Sequence, residues 1–320
     1  MDRYGSGGRV LVLLHGVPTA PSDFTPLAEA LSSTRLVLVP HLPGYDRTAI
    51  PAGDYSLEGS IRELEDQLIA EGCAKVDLLA VSGGAYRAVA IALRRRIEVR
   101  RIVLLAPVLG LEPAEAEAMR EAALAARSGR WDPRTTWLDR MASPGFAARN
   151  PKGASQVLAW LNAAPLRLIC DELIAIADAP DLRPRLAELS CPIFVCAGTE
   201  DRAAPFGMSQ AVANLAARGA SNAIASRSYG LSRAGAWRGG VRAPTARNDA
   251  ARQTSSASSY IRETPYLGAS FGRDAGPVAS TIASSSQFVG YIDDRNLSAS
   301  SGVKAERTVS TAPGSPGLVS

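Results

Sequence analysis

Apolar and polar positions along the first two hundred residues fall into two alternating patterns. Short, nearly unbroken apolar runs recur as "RVLVLLHG", "RLVLVPHLPG", "VDLLAVS", "RIVLLAP" and "CPIFVCAG". Such runs predict strands buried on both faces of a parallel sheet. Between them stand "SDFTPLAEALSS", opened by Ser22 as a predicted cap, "SLEGSIRELEDQLIAEG", "GGAYRAVAIALRRR" and "PFGMSQAVANLAARG". These carry the helical period. Residues 111–187 are helical in pattern almost throughout, with breaks at Pro133, Pro144 and Pro165. Repeated β-then-α units with short links predict a mostly parallel sheet flanked by helices, with 111–187 as a helical lid over one edge.

The pattern stops near Gly219. No sustained period of 3.6 or 2.0 follows, and serine makes up 19 of the last 102 residues. Such a stretch buries too little apolar area to offset an ordering cost of about 1–2 kcal/mol per residue. Residues 1–218 are therefore expected to form the folded core and 219–320 a low-complexity, disordered tail, with "SQFVGYI" as a stray strand at most. The last strand and helix of the α/β pattern are expected to be missing, which would leave strand 193–197 as an open edge. Only about eight residues precede the first buried strand. No opening antiparallel hairpin is expected there, as in a compact variant or after a late start codon.

Composition narrows the class further. Apolar residues make up 46% of the chain and charged residues 21%, which suits a core of this size. The net charge of +4 is unevenly placed: residues 219–320 hold ten arginines and Lys304 against six acids, while residues 1–218 hold 24 bases and 25 acids. Three lysines accompany 32 arginines, and the basic residues are scattered rather than clustered among aromatics. That distribution argues against nucleic acid as a partner. No apolar run approaches the ~20 residues of a membrane span, and the apolar stretch near the start is too short, broken by His15, to read as a signal peptide, so a cytoplasmic protein is expected. Cys73, Cys170, Cys191 and Cys196 lack paired ligand spacing, which points to buried free thiols rather than disulfides or metal.

The candidate chemistry lies in Ala80-Val81-Ser82-Gly83-Gly84, a serine at a strand-to-helix junction. A sharp turn there puts strained backbone angles on the serine and brings helix against strand, so Ala80 and Gly84, two positions either side, must be small. The usual G-x-S-x-G pattern has Gly where this chain has Ala80. "LVLLHGVPTAPSDF" ends an earlier strand in His15-Gly16-Val17-Pro18, and "CPIFVCAGTEDRAAP" sets Asp201 in the loop after a late one. With "PHLPGYDRT", these segments resemble the α/β-hydrolase superfamily over residues 9–218, in the branch with an H-G-x-P oxyanion loop and an S-x-G elbow. The resemblance implies Ser82 as nucleophile, Val17 and Gly83 N–H groups as the oxyanion hole, and Asp201 as the acid. Glu200 is a weaker candidate for the acid. His15 and Gly16 support the oxyanion loop, and His41, where the family usually has Asp, is a loop residue. No metal or organic cofactor is implied.

Serine needs a base, and in this fold the order is Ser, acid, His. The only histidines are His15 and His41, both before Ser82, so the triad is incomplete. Base, strand and helix vanish at one point, which suggests a slipped reading frame near residues 218–222. The other two frames downstream of codon 218 would then encode a strand, a G-x-G-H phrase and a helix. The expected activity is hydrolysis of a small ester, lactone or related acyl substrate through an acyl-enzyme, impaired in this chain. The same scaffold also suits a C–C hydrolase, haloperoxidase or acyltransferase. The alternatives are a ligand-binding pseudo-hydrolase and a frame-shifted product. Substrate identity and oligomeric state have no signature in the sequence.

Overall fold

The computed structural model describes residues 1–46, 48–49, 55–142, 144–198, 200–216 and 224–226. Seven strands form one sheet: β1 (Asp2–Tyr4), β2 (Arg9–Leu14), β3 (Arg35–Val39), β4 (Lys75–Val81), β5 (Glu98–Leu105), β6 (Ile193–Gly198) and β7 (Ile224–Ser226). Their spatial order is β1-β3-β2-β4-β5-β6-β7. Every neighbouring pair is parallel except β1 with β3.

Alternation across the pleat explains the unbroken apolar runs. Val12, Leu14, Leu38, Leu78, Ala80, Ile102 and Leu104 pack into one core on one side of the sheet. Leu11, Leu13, Val37, Val39, Leu79, Val81, Val103 and Leu105 pack into a second core on the other. With both faces covered, successive positions must all be apolar. Each such leucine or valine contributes about 1.5–3 kcal/mol by leaving water.

The helices follow the sequence pattern. They are α1 (Thr25–Leu31), α2 (Leu57–Ala70), α3 (Gly84–Arg94) and, after β5, α4 (Pro113–Arg127), α5 (Arg134–Met141), α6 (Phe146–Arg149), α7 (Pro151–Ala163) and α8 (Leu166–Ala177); α9 (Phe206–Leu215) follows β6. Ser56 caps α2, its hydroxyl accepting the Gly59 N–H. Pro133 and Pro165 stand at the N-caps of α5 and α8, so two of the expected proline breaks begin helices rather than only ending them. All four cysteines are buried and free. Among the described residues no helix is long and apolar enough to cross a membrane.

Three local features differ from the sequence reading. Ser22 caps nothing, because a 3₁₀ turn over Pro21–Phe24 starts the segment and α1 begins only at Thr25. The opening residues form no hairpin with β2 but pair antiparallel with β3, in register Asp2↔Val39, as an edge strand that the sequence reading did not include. Beyond position 218, Ile224–Ser226 pair parallel with β6 from Cys196 to Gly198. The "SQFVGYI" run lies outside the described residues.

Candidate functional site

Ser82 sits between β4 and α3 at φ +50°, a left-handed backbone conformation for a residue with a side chain. Its surroundings enforce the turn. The Ser82 N–H donates to the Leu105 carbonyl at 2.9 Å, and the Ser82 carbonyl accepts from Ala85 at 3.0 Å and Val108 at 3.3 Å. The loop after β2 presses directly on this corner. A Cβ on Gly84 would lie 2.5 Å from the His15 carbonyl oxygen and 2.6 Å from that of Leu14. A Cβ on Gly16 would lie 2.7 Å from the Val81 carbonyl oxygen. Both positions therefore need glycine for lack of room, whereas Ala80, in β4 opposite Leu14 and Leu104, has space for its methyl.

Ser82, Val17 and Gly83 line one cavity of about 350 Å³, between the C-terminal ends of the strands and the helices inserted between β5 and β6. Its other walls include Leu111, Met119, Trp137, Leu173 and Ile176. The Val17 and Gly83 N–H groups donate to no acceptor among the described residues, although both residues lie beside the serine. Buried main-chain donors are nearly always paired, so two unpaired ones at one cavity mark a place for an external acceptor. Gly83 is also the N-cap of α3, whose N-terminal end carries partial positive charge.

Asp201 is buried, in the turn that leads from β6 to α9, just behind the wall formed by Arg202 and Ala203. Its Oδ1 accepts the Ala203 and Ala204 N–H groups, each at 2.9 Å. Burial nonetheless dominates and raises its pKa to about 6. Glu200 is half-buried and makes no hydrogen bond or ion pair among the described residues.

Neither histidine lines the cavity. His15 is buried, with Nδ1 3.1 Å from the Gly16 carbonyl oxygen and its ring edge-on to Tyr45 at 4.9 Å. Burial lowers its pKa to about 3, so it stays neutral. His41 is buried between Asp2, 3.0 Å from Nε2, and Asp46, 3.5 Å from Nδ1. Among the described residues the Ser82 hydroxyl makes no hydrogen bond to either ring.

A second feature of the site escaped the sequence reading. Arg87 of α3 and Glu172 of α8 are both fully buried and paired at 2.5 Å. Tyr45 donates to Glu172 at 2.6 Å, while Arg87 donates to Ser60 at 3.2 Å, to the Tyr55 hydroxyl, and to the Gly83 carbonyl at 3.3 Å. This network ties the helix behind Ser82 to the helix bearing Leu173 and Ile176. Its one trace in the sequence is a lone arginine in the apolar run "AYRAVAIAL".

A model of the alpha/beta hydrolase family matches residues 11–237. Among solved structures the fold is similar to a thermophilic esterase from Thermogutta terrifontis, at TM-score 0.63 and 23% identity over 70% of this chain and 83% of that one. It is similar also to the enol-lactonase from Burkholderia xenovorans LB400, at 0.61 and 21% over 70% and 86%. An esterase from Exiguobacterium antarcticum matches at 0.59 and 18% over 69% and 85%. No curated protein matches the chain.

Proposed function

Because the chain belongs to the alpha/beta hydrolase family, we propose that it is a serine hydrolase by descent, built to open small esters or lactones through an acyl-enzyme on Ser82. The observation that carries this reading is the pair of unpaired N–H groups, Val17 and Gly83, lining the cavity beside a serine held at positive φ. The esterases and the enol-lactonase among similar folds support acyl substrates. In the forward reaction the Ser82 oxygen bonds to the acyl carbon, and the carbonyl oxygen takes negative charge against the two N–H donors. With no histidine to carry it, the Ser82 proton passes to solvent water, the leaving alkoxide takes a proton from water to depart as the alcohol, and a further water releases the acid and restores the Ser82 hydroxyl. Asp201 is the family's orienting carboxylate.

The proton on Ser82 has no acceptor of the usual kind, since no histidine follows Asp201. Removing the histidine of a serine-histidine-aspartate triad costs about 10⁶-fold in turnover. A residual ~10³–10⁴ over water survives on binding and the oxyanion hole. The chain is therefore expected to hydrolyse p-nitrophenyl esters only at that residual level. Ordinary esterase turnover that disappears in Ser82→Ala would refute the missing-base reading. A fluorophosphonate probe tests the serine itself: labelling of the chain but not of Ser82→Ala supports an activated nucleophile.

The second reading, a binding protein that keeps the pocket without turnover, is favoured by the lack of any hydrogen bond from the Ser82 hydroxyl to a described side chain. An unlabelled serine together with tight binding of an acyl compound is its signature.

A further inference from the structure

The cavity beside Ser82 is apolar on most sides, yet three charged residues reach it: Glu115, Arg140 and Arg202. Glu115 is already engaged, its Oε2 accepting the Glu112 N–H at 3.0 Å to cap α4. The main chains of the two arginines are joined by a hydrogen bond from the Arg202 N–H to the Arg140 carbonyl at 3.0 Å. Arg202 Nη2 also donates to the Asp139 carbonyl, which anchors its side chain to the end of α5. Among the described residues neither guanidinium has a carboxylate within ion-pair distance. Arg120, Arg127, Arg134 and Arg183, elsewhere in the same helical insert, are each matched to one. Arg140 acts on Asp201 only over a longer gap.

We propose that this cavity selects acyl substrates carrying a carboxylate or similar anion, with Arg140 and Arg202 as its receptor. Both arginines are exposed, so their attraction to an anion is screened by solvent, but the guanidinium's fork of donors matches a carboxylate. A neutral ester fills the cavity but leaves that charge unanswered. Size is consistent: at about 30 Å³ per water, the cavity holds roughly a dozen non-hydrogen atoms. The acyl carbon would then lie at Ser82 and the anionic end at the arginine pair, with the chain between them against Trp137 and Met119. This assignment rests on the reading of the Ser82 cavity as an acyl-substrate site.

Calorimetric titration of the full chain with monomethyl adipate and with dimethyl adipate tests it. The two esters share an acyl chain and differ in one charge. Binding of the monoester about fivefold more tightly at low salt is expected, as for an exposed ion pair of good geometry. The advantage should shrink as salt rises. It should persist in Ser82→Ala, fall in Arg140→Gln, and drop to within about twofold in the Arg140→Gln/Arg202→Gln pair; Arg140→Lys should retain part of it. Arg140 is exposed, so its single variant decides the matter if the pair unfolds. Equal affinity for both esters, no binding of either, or a preference indifferent to Arg140→Gln overturns the assignment. Anion selectivity without fluorophosphonate labelling favours the binding-protein reading of the pocket over turnover and leaves the receptor standing. Labelling without selectivity does the reverse.

Discussion

Asp201 and His15 carry opposite consequences of burial. The Asp201 carboxyl is raised from 3.8 to about 6 chiefly by desolvation. Between those values the folded chain binds more protons than the unfolded one, so stability falls as pH rises through that window and the cost is complete above it. At 1.36 kcal/mol per unit the penalty is at most about 3 kcal/mol at neutral pH. Asp201→Asn keeps the acceptor for Ala203 and Ala204 and removes the charge. It should melt higher than the parent at pH 8, by an amount within that limit, and show no advantage at pH 4. A variant less stable at pH 8 contradicts the sign. His15 works the other way: its pKa is lowered from 6.5 to about 3, so its neutral burial stabilises fully above pH 6.5, and that stabilisation is lost as pH falls toward 3. The melting temperature of Asp201→Asn should therefore fall more steeply than the parent's between pH 6 and 4.

The contact between α3 and α8 turns on Arg87 and Glu172. Both side chains are wholly buried, and their partners Tyr45, Ser60 and Gly83 use most of the remaining donors and acceptors. Removing one partner strands the other charge out of water, at about 3–5 kcal/mol. Glu172→Ala is expected to lose that much in urea unfolding, whereas Arg87→Met/Glu172→Met should recover most of it, because neither charge remains. A loss below about 1 kcal/mol in the single variant would show that the pair is solvated in practice. The same network reaches the Gly83 carbonyl, so the helix over the cavity and the turn under it are held by one set of bonds.

Taken together, the sheet has two unlike ends. At one, β1 covers β3 with three antiparallel pairs; at the other, β7 covers β6 with three parallel ones. The family match likewise continues past residue 218 to 237. Cutting the chain after Arg218 would uncover the β6 edge at Cys196–Gly198, and an uncovered apolar edge is a template for association. The truncated chain is expected to elute as larger species than the full chain, increasingly so with concentration. Identical elution and melting of the two would mean that β7 contributes nothing to the sheet.

The elements and the turn at Ser82 were legible locally, because apolar runs, glycines and small residues report on neighbours within a few positions. Even there, Ala80 and Gly84 read alike as small, while only the packed loop after β2 distinguishes a methyl that fits from one that meets a carbonyl at 2.5 Å. The Arg87–Glu172 pair and the Arg140–Arg202 wall bring together residues up to 85 positions apart, and no period or spacing in a single chain encodes such a meeting. The burial that shifts Asp201 and His15 is likewise a property of the surrounding atoms. Sequence alone determined the succession of β2 to β6 with the helices between them, the serine at the bend and the absence of a histidine after Asp201, since each depends on the identity of adjacent residues. Which residues line the cavity, and which charges were sealed against one another, was settled only when distant segments closed around the same space.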